Sequence, residues 1–268
     1  MIEKKRLDVL LFERGMAESR QKAQTLVMSG QVYVEGKRED KAGTQIKLDA
    51  HIEVRGGQNE FVSRGGLKLQ KALDTFSVSP QGMTALDAGA STGGFTDCLL
   101  KRGAKRVYAV DVGYGQLDWK LRRDPRVVCM ERTNLRYLTK ENISEPLDLA
   151  TLDLSFISLR LVLPAVRTLL SDGGQVLCLI KPQFEAGKEK VGKKGVVREP
   201  KTHREVLEQF LIYAGECGFS VQGLSFSPIR GPEGNIEFLG HLTVGAGEPF
   251  AGDIESLVQK AHESLQKG

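Results

Sequence analysis

Apolar positions recur along this chain with two different periods. Near the amino terminus Leu7, Leu10 and Leu11 share one helical face that Gly15 stops. Ser19 stands where an N-cap would open a second helix, which carries Ala23, Leu26 and Val27 and ends at Gly30. The period then drops to two. Val32 and Val34 alternate before the turn-like Glu35-Gly36-Lys37, and Ile46, Leu48, Ile52 and Val54 alternate after it, which predicts short strands. About fifty residues bury only a modest core, so this part is expected to lean on a neighbour or a ligand. The next stretch, Arg55-Gly-Gly-Gln-Asn-Glu60, has the composition of a linker.

From Ser63 the helical period returns, with Leu69, Ala72, Leu73 and Phe76 on one stripe. Seven apolar runs follow: Thr84–Asp87, Arg106–Asp111, Val127–Met130, Leu147–Asp153, Gln175–Lys181, Ser220–Phe226 and Glu237–Val244. Helical segments separate most of them, which predicts an α/β fold with a mostly parallel sheet covered on both faces. Thr202-x-x-Glu205 reads as a capping box for a helix carrying Val206, Leu207, Phe210, Leu211 and Ala214, and Ile254 to Leu265 reads as a terminal helix. Lys68 is the odd member of the first stripe. It falls in the first helical turn, where the macrodipole disfavours a cation by roughly 0.3–1 kcal/mol. At about 100° per residue it projects onto the shoulder of the apolar stripe. Either its stem covers the core edge while its head reaches water, or a partner from elsewhere in the chain holds it.

Composition narrows the class. Of 268 residues 40% are hydrophobic and 27% charged, ordinary for a globular protein with one sizeable core and a small extra module. The most apolar region, Leu147 to Leu170, is broken by Asp148, Asp153, Ser155, Arg160 and Arg167, so it lacks the run of about 20 uncharged residues that a membrane span needs. The opening Met-Ile-Glu-Lys-Lys-Arg-Leu-Asp turns charged and helical too soon for a signal peptide, so a cytoplasmic protein without membrane contact is expected. Cys98, Cys129, Cys178 and Cys217 lie far apart and read as free thiols, neither metal ligands nor a disulfide framework. A net charge of +4 permits a nucleic-acid partner without demanding one. Its distribution says more: between Lys181 and Arg204 eight basic residues stand against three acidic ones. The glycine-rich stretch from Phe184 to Val197 is expected to be non-helical and to form a mobile lip that grips RNA phosphates through Lys188, Lys190, Lys193 and Lys194.

Leu86-Asp-Ala-Gly-Ala-Ser-Thr-Gly-Gly-Phe95 follows a strand and opens a helix, the place where an α/β sheet holds a cofactor. Its glycines fall at 89, 93 and 94, whereas the dinucleotide fingerprint would want one in place of Ser91. Asp111 ends the next strand 22 residues after Gly89, as an acidic partner for ribose hydroxyls should. Asp87 suits a ligand without a pyrophosphate, such as S-adenosyl-L-methionine with its ammonium group. The cofactor residues expected are therefore Asp87, Gly89, Ser91, Thr92, Gly93, Gly94 and Asp111. Phe95 either joins them or packs in the core, and Asn134 with Leu135 either flanks an adenine or forms an ordinary loop.

Two resemblances add to this. Arg6-Leu7-Asp8 with Ser19-Arg20-x-x-Ala23-x-x-Leu26-x-x-x-Gly30-x-Val32-x-Val34-x-Gly36 resembles the α-L RNA-binding motif of a small-subunit ribosomal protein and many pseudouridine synthases. It implies RNA contact, with Arg6, Arg14, Arg20, Lys22, Lys37 and Arg38 meeting phosphates along one face. The glycine loop resembles the Asp-x-Gly-x-x-x-Gly-Gly-aromatic form of the FtsJ-type RNA ribose methyltransferases. Their Lys-Asp-Lys-Glu tetrad has candidates in Lys68, in Asp153 of Leu152-Asp-Leu-Ser-Phe156, in Lys181 of Leu179-Ile-Lys-Pro-Gln183 and in Glu237 of Gly234-Asn-Ile-Glu237. One departure is Leu154-Ser155-Phe156, where other methyltransferases often carry a proline. From residue 4 to 245 the chain resembles the TlyA family of ribosomal RNA 2′-O-methyltransferases, also labelled haemolysins. The resemblance implies an α-L domain over 1–55 and a Rossmann-like methyltransferase domain over 63–246; composition and periodicity add a linker over 56–62 and a C-terminal helix over 247–268. It further implies S-adenosyl-L-methionine as cofactor and cytidines of ribosomal RNA, in one or both subunits, as substrate.

The chemistry explains why such residues are wanted. A ribose 2′-hydroxyl is a poor nucleophile until its proton leaves, whereas a sulfonium methyl is already activated and needs in-line placement. A lysine serves as the base once its pKa falls from about 10.4 towards 7–8; a second cation, the sulfonium charge and burial favour that, and nearby carboxylates oppose it. The expected roles are Lys181 as base, Lys68 and Glu237 as orienting and tuning partners, and Asp153 as the bridge between cofactor and Lys181. Arg64 is a candidate for holding target RNA, and Phe156 and Tyr114 either stack on an extruded base or pack in the core or against the cofactor. Three rivals stand beside this: a membrane-damaging haemolysin using the amphipathic Ile254–Leu265 segment, an RNA-binding platform without catalysis, against which a complete tetrad argues, and a small-molecule or protein methyltransferase, which the amino-terminal module disfavours. The chain is expected to act as a monomer.

Overall fold

The computed structural model describes residues 4–17, 19–28, 30–54, 60–248 and 250–265, with Lys193 described by its backbone alone. The chain divides into two compact units, Met1–Glu60 and Phe61–Gly268. Most of the expected linker, residues 55–59, lies outside the described residues.

In the first unit β1 (Lys4–Arg6), α1 (Leu7–Glu13) and α2 (Arg20–Met28) precede β2 (Val32–Val34), β3 (Lys37–Glu39), β4 (Gln45–Lys47) and β5 (Ile52–Val54). The helices stop where expected, at Gly15 and Gly30 with φ of +68° and +71°, and Ser19 Oγ accepts the Lys22 amide at 3.1 Å. Glu35 and Gly36 both take positive φ, a turn whose twist matches its strands, and β2 pairs antiparallel with β3 across it. The later alternation splits between two sheets. Ile46 lies in β4, which pairs with β1, while Ile52 and Val54 lie in β5 beside β2, and Leu48 stays exposed between them. Leu7, Leu11, Ala23, Val27, Val32 and Ile52 make the small core.

The second unit contains α3 (Gly65–Phe76), β6 (Thr84–Ala88), α4 (Gly94–Lys101), β7 (Arg106–Val110), α5 (Trp119–Arg122), β8 (Val127–Met130), β9 (Leu147–Leu152), α6 (Leu163–Leu169), β10 (Leu170–Ile180), α7 (Pro182–Glu185), α8 (Pro200–Glu216), β11 (Phe219–Phe226), β12 (Phe238–Val244) and α9 (Ile254–Leu265). All seven expected strands join one sheet in the order β11-β12-β10-β9-β6-β7-β8, with β12 antiparallel to both neighbours. Their side chains alternate between two helical layers. Leu86, Ala88, Leu152 and Ile180 meet Leu163, Phe210 and Val258 from α6, α8 and α9, whereas Ala85, Leu149, Leu177 and Leu179 meet Leu69, Leu73 and Leu99 from α3 and α4.

Four expectations need correction. β10 begins early because Leu170 already pairs with Leu147, after which the strand bulges through Gly173 at φ +72° before Gln175 resumes the ladder. Thr202 is no N-cap: Pro200 occupies the first turn of α8, where its missing N–H costs nothing, so Thr202 lies inside the helix and is buried. The stretch from Phe184 is partly helical, since Phe184 and Glu185 close α7 and short 3₁₀ turns follow at Lys188–Lys190 and Lys193–Gly195. A boundary at 246 would cut one core, because Val258 and Ala261 of α9 belong to the same buried cluster as Phe210. Among the described residues no helix is long and apolar enough to cross a membrane.

Candidate active site

β6 lies between β7 and β9, and the chain runs from it first to one edge and then to the other. Such a reversal opens a crevice at the carboxyl ends of the strands. A cavity of about 480 Å³ occupies it, walled by Gly89, Ser91, Asp111, Asn134, Leu135, Asp153, Ser155 and Phe156 among others. A larger hollow, about 640 Å³, lies at the other end of the sheet beside Phe219 and Gly245, far from the residues that carry chemistry.

The glycine loop is shaped by backbone needs. Gly89 has φ +82°, and a Cβ there would strike the Asp153 carbonyl. Ser91, at the position where the fingerprint has glycine, adopts φ +47° itself. Asp111 fixes the turn: Oδ2 accepts the Ser91 amide at 2.8 Å and Oδ1 the Gly113 amide at 2.7 Å. Gly93 and Gly94 serve packing, against Leu117 and Leu121 and against Ser63 and Gly66. Phe95 is buried in the core, Thr92 is exposed, and Asn134 walls the cavity while its side chain accepts the Arg136 amide at 3.1 Å. Asp87 lies elsewhere than expected. Its carboxylate is fully buried beneath the loop, accepts the Thr96 hydroxyl at 2.6 Å and does not wall the cavity. Burial, with the Asp153 charge adding, pushes its pKa up to about 7.

All four tetrad candidates converge beside this cavity as two ion pairs. Lys181 Nζ lies 2.6 Å from Asp153 Oδ1 and donates to Ser155 Oγ at 3.2 Å. Lys68 Nζ lies 2.6 Å from Glu237 Oε2. Lys68 and Lys181 are each 7% exposed and Glu237 1%, so Lys68 does not snorkel; it is a buried charge held by a partner. Local structure accounts for the convergence. Asp153 follows β9 and Lys181 follows β10, adjacent parallel strands. Ile180 pairs with Phe238, so Lys181 and Glu237 stand side by side where the β10–β12 ladder ends. Gly65 at the start of α3 borders the carboxylate of Asp153, where a side-chain carbon would stand 3.9 Å from Oδ2. The positive end of α3 therefore faces an anion as well as carrying Lys68.

The expected RNA residues divide. Arg6 grips the buried Asp8 through two bonds of 3.0 Å, Arg20 reaches the same carboxylate at 3.4 Å, and Gln24 adds a bond of 2.8 Å. These guanidiniums hold Asp8 well below the usual carboxylate range. Arg14 donates to the carbonyls of Leu48 and Ala50, a structural tie, and Arg38 packs over Gly30. Lys22, Lys37, Arg64, Lys188 and Lys194 are exposed, while Lys190 pairs with Glu205 at 2.7 Å. The side chain of Lys193 lies outside the described residues. Phe156 is 90% exposed, with φ +65° and its ring 5.3 Å from that of Phe184; Tyr114 lies exposed under the Arg132 guanidinium at 4.2 Å. Sequence reasoning missed Ser155 as a partner of Lys181 and Glu185 as the anchor of the turn that holds it; no spacing in the sequence marks either.

The FtsJ-like methyltransferase model matches residues 61–243 and the S4 domain model residues 5–52. The chain belongs to the FtsJ-like methyltransferase family. It is 53% identical to YqxC of Bacillus subtilis, an rRNA methyltransferase by name, over 99% of this chain and 96% of that one. It is 42% identical to the 16S/23S rRNA (cytidine-2′-O)-methyltransferase TlyA of Mycobacterium tuberculosis, with 100% of each chain covered. The solved structure of a hemolysin-named protein from Streptococcus thermophilus shares 47% identity and a TM-score of 0.80, covering 100% of this chain and 98% of that one. FtsJ-like methyltransferases use S-adenosyl-L-methionine, and the cavity fits it. Val110, Leu135 and Val162 offer an apolar wall for an adenine, and the Asp111 and Asp153 carboxylates supply acceptors and negative charge for ribose and a cationic side chain.

Proposed function

We propose that this FtsJ-like methyltransferase methylates a ribose 2′-hydroxyl of ribosomal RNA with Lys181 as general base, the target being a cytidine by likeness to the Mycobacterium tuberculosis relative. The observation that carries this is the pair of buried lysine–carboxylate contacts, Lys181–Asp153 and Lys68–Glu237, at the strand ends beside the cavity. S-adenosyl-L-methionine, when bound, supplies a methyl group already activated by its sulfonium. Lys181 takes the hydroxyl proton, help of the kind that contributes about 10²–10⁴-fold in rate. Asp153 walls the cavity and holds Nζ, so one carboxylate serves both the cofactor side and the base. Lys68 and Glu237 neutralise each other and fasten α3 to the start of β12. The S4 unit and exposed Arg64, Lys188 and Lys194 meet RNA phosphates without reading bases, and Phe156 offers a plane for an unstacked base. The protein acts as a cytoplasmic monomer on ribosomal subunits or their RNA. α9, the segment a membrane-damaging protein would use, turns Val258 and Ala261 into the core.

The test is transfer of a labelled methyl group to purified ribosomal subunits by wild type and Lys181→Ala. Label in RNA that resists alkaline cleavage at the modified nucleotide, and is absent with the variant, is the expected result. Full transfer by Lys181→Ala removes Lys181 as base, and cofactor binding without label on either subunit removes ribosomal RNA as substrate.

A further inference from the structure

Lys181 has two acceptors at its amine. Asp153 Oδ1 lies 2.6 Å from Nζ and Ser155 Oγ 3.2 Å from it. Ser155 is exposed, walls the cofactor cavity, and has no other hydrogen-bond partner among the described residues. An amine that is to accept a proton carries two N–H bonds and one lone pair. With Asp153 as sole acceptor, the second N–H and the lone pair can take the two remaining positions on nitrogen in either order. A second acceptor engages the remaining N–H and leaves the lone pair one direction.

We propose that Ser155 is a positioning residue for the base, whose hydroxyl accepts the second N–H of neutral Lys181 and so fixes the lone pair that receives the ribose proton. The inference rests on Lys181 as base. In the step the 2′-hydroxyl proton passes to Nζ and the 2′-oxygen bonds the methyl carbon. The carbon–sulfur bond breaks with its electron pair left on sulfur, and Ser155 neither gains nor loses an atom.

A serine fixes a direction only if its own backbone is held, and here the turn is braced. Phe156 next to it sits at φ +65°, a conformation that persists only under tertiary constraint. Glu185 of α7 accepts the Ser158 hydroxyl at 2.6 Å, the Leu159 amide at 2.8 Å and the Tyr213 hydroxyl at 3.3 Å. Phe156 and Phe184 make a second fastening between the same two segments. The chain after Asp153 is thereby tied to the chain after Lys181, with Ser155 between them.

Methyl transfer to ribosomal subunits and cofactor affinity by calorimetry are measured for wild type, Lys181→Ala, Ser155→Ala and Ser155→Thr. Ser155→Ala is expected to lower kcat about 10- to 100-fold, the size of a small misalignment at a reacting group. Its KM for RNA and Kd for cofactor stay within about twofold of wild type, and Ser155→Thr, which keeps the hydroxyl, regains most of the rate. A Ser155→Ala enzyme with wild-type kcat, beside an inactive Lys181→Ala, overturns the role of Ser155 and leaves Lys181 as base. Full activity of Lys181→Ala overturns the base itself. A Ser155→Ala loss confined to KM or Kd, or one that threonine does not relieve, assigns the residue to binding or shape and overturns the proposal.

Discussion

Lys68 is fastened by a carboxylate 169 positions away in sequence, and the two residues are buried together. Removing one member of such a pair leaves an uncompensated charge, which costs about 3–5 kcal/mol, whereas replacing both by apolar groups is often neutral. Glu237→Ala is therefore expected to unfold at a clearly lower temperature than wild type. Lys68→Met combined with Glu237→Leu recovers most of that stability while methyl transfer stays lost; calorimetry and activity on the same samples check both. Asp87 gives a pH signature. Its pKa rises from 3.8 to about 7 in the fold, so the stability of its protonated form is complete below pH 4 and is lost as pH rises through 7. The unfolding temperature of wild type minus that of Asp87→Asn is expected to fall steadily from pH 4 to 8, and a constant difference would refute the burial account. The tetrad was reachable only through resemblance, since nothing local pairs Lys68 with Glu237. The position of Asp87 before the loop is visible in the sequence, whereas the inward direction of its side chain depends on strand parity and on Thr96 in α4.

The strands were legible because a sheet buried on both faces needs near-continuous apolar runs, and these survive in the sequence. Their partners were not, since Ile46 and Ile52 look like one alternating run yet join different sheets. Thr202 misled because a proline two residues earlier opens α8 first. The docking of α9 on α8 carries its own pH dependence. His203 Nδ1 and His262 Nε2 lie 2.9 Å apart. Burial foremost, then the neighbouring His262, lowers His203 to about 4; burial and Arg230 lower His262 while Glu199 opposes. Both rings fold neutral, so their contribution stands above the ordinary histidine value near 6.5 and is lost as pH falls towards 4. The stability advantage of wild type over His203→Leu is expected to shrink between pH 7 and 4.5 by thermal unfolding, opposite in sign to the Asp87 trend.

Two units have separate cores: one carries the exposed cations Lys22 and Lys37, the other the cavity and the buried tetrad. Neutralising Lys22 and Lys37 together should reduce the slope of log affinity against log salt by about 0.7–0.9 per lost phosphate contact. Cofactor binding should be unaffected, which filter binding and calorimetry would show. An unchanged slope would place the RNA elsewhere.

β12, the last strand among the described residues, does not lie at the sheet edge; it inserts between β10 and β11. The order of synthesis and the order in the sheet therefore differ. Until that strand is in place Lys68 has no Glu237, and Lys181 lacks its neighbour across the ladder. A polypeptide that is still emerging, or that stalls before residue 237, carries the S4 unit and the glycine loop yet has no complete tetrad. On the function proposed above such a chain transfers no methyl group, so the strand made last is the one that completes the enzyme.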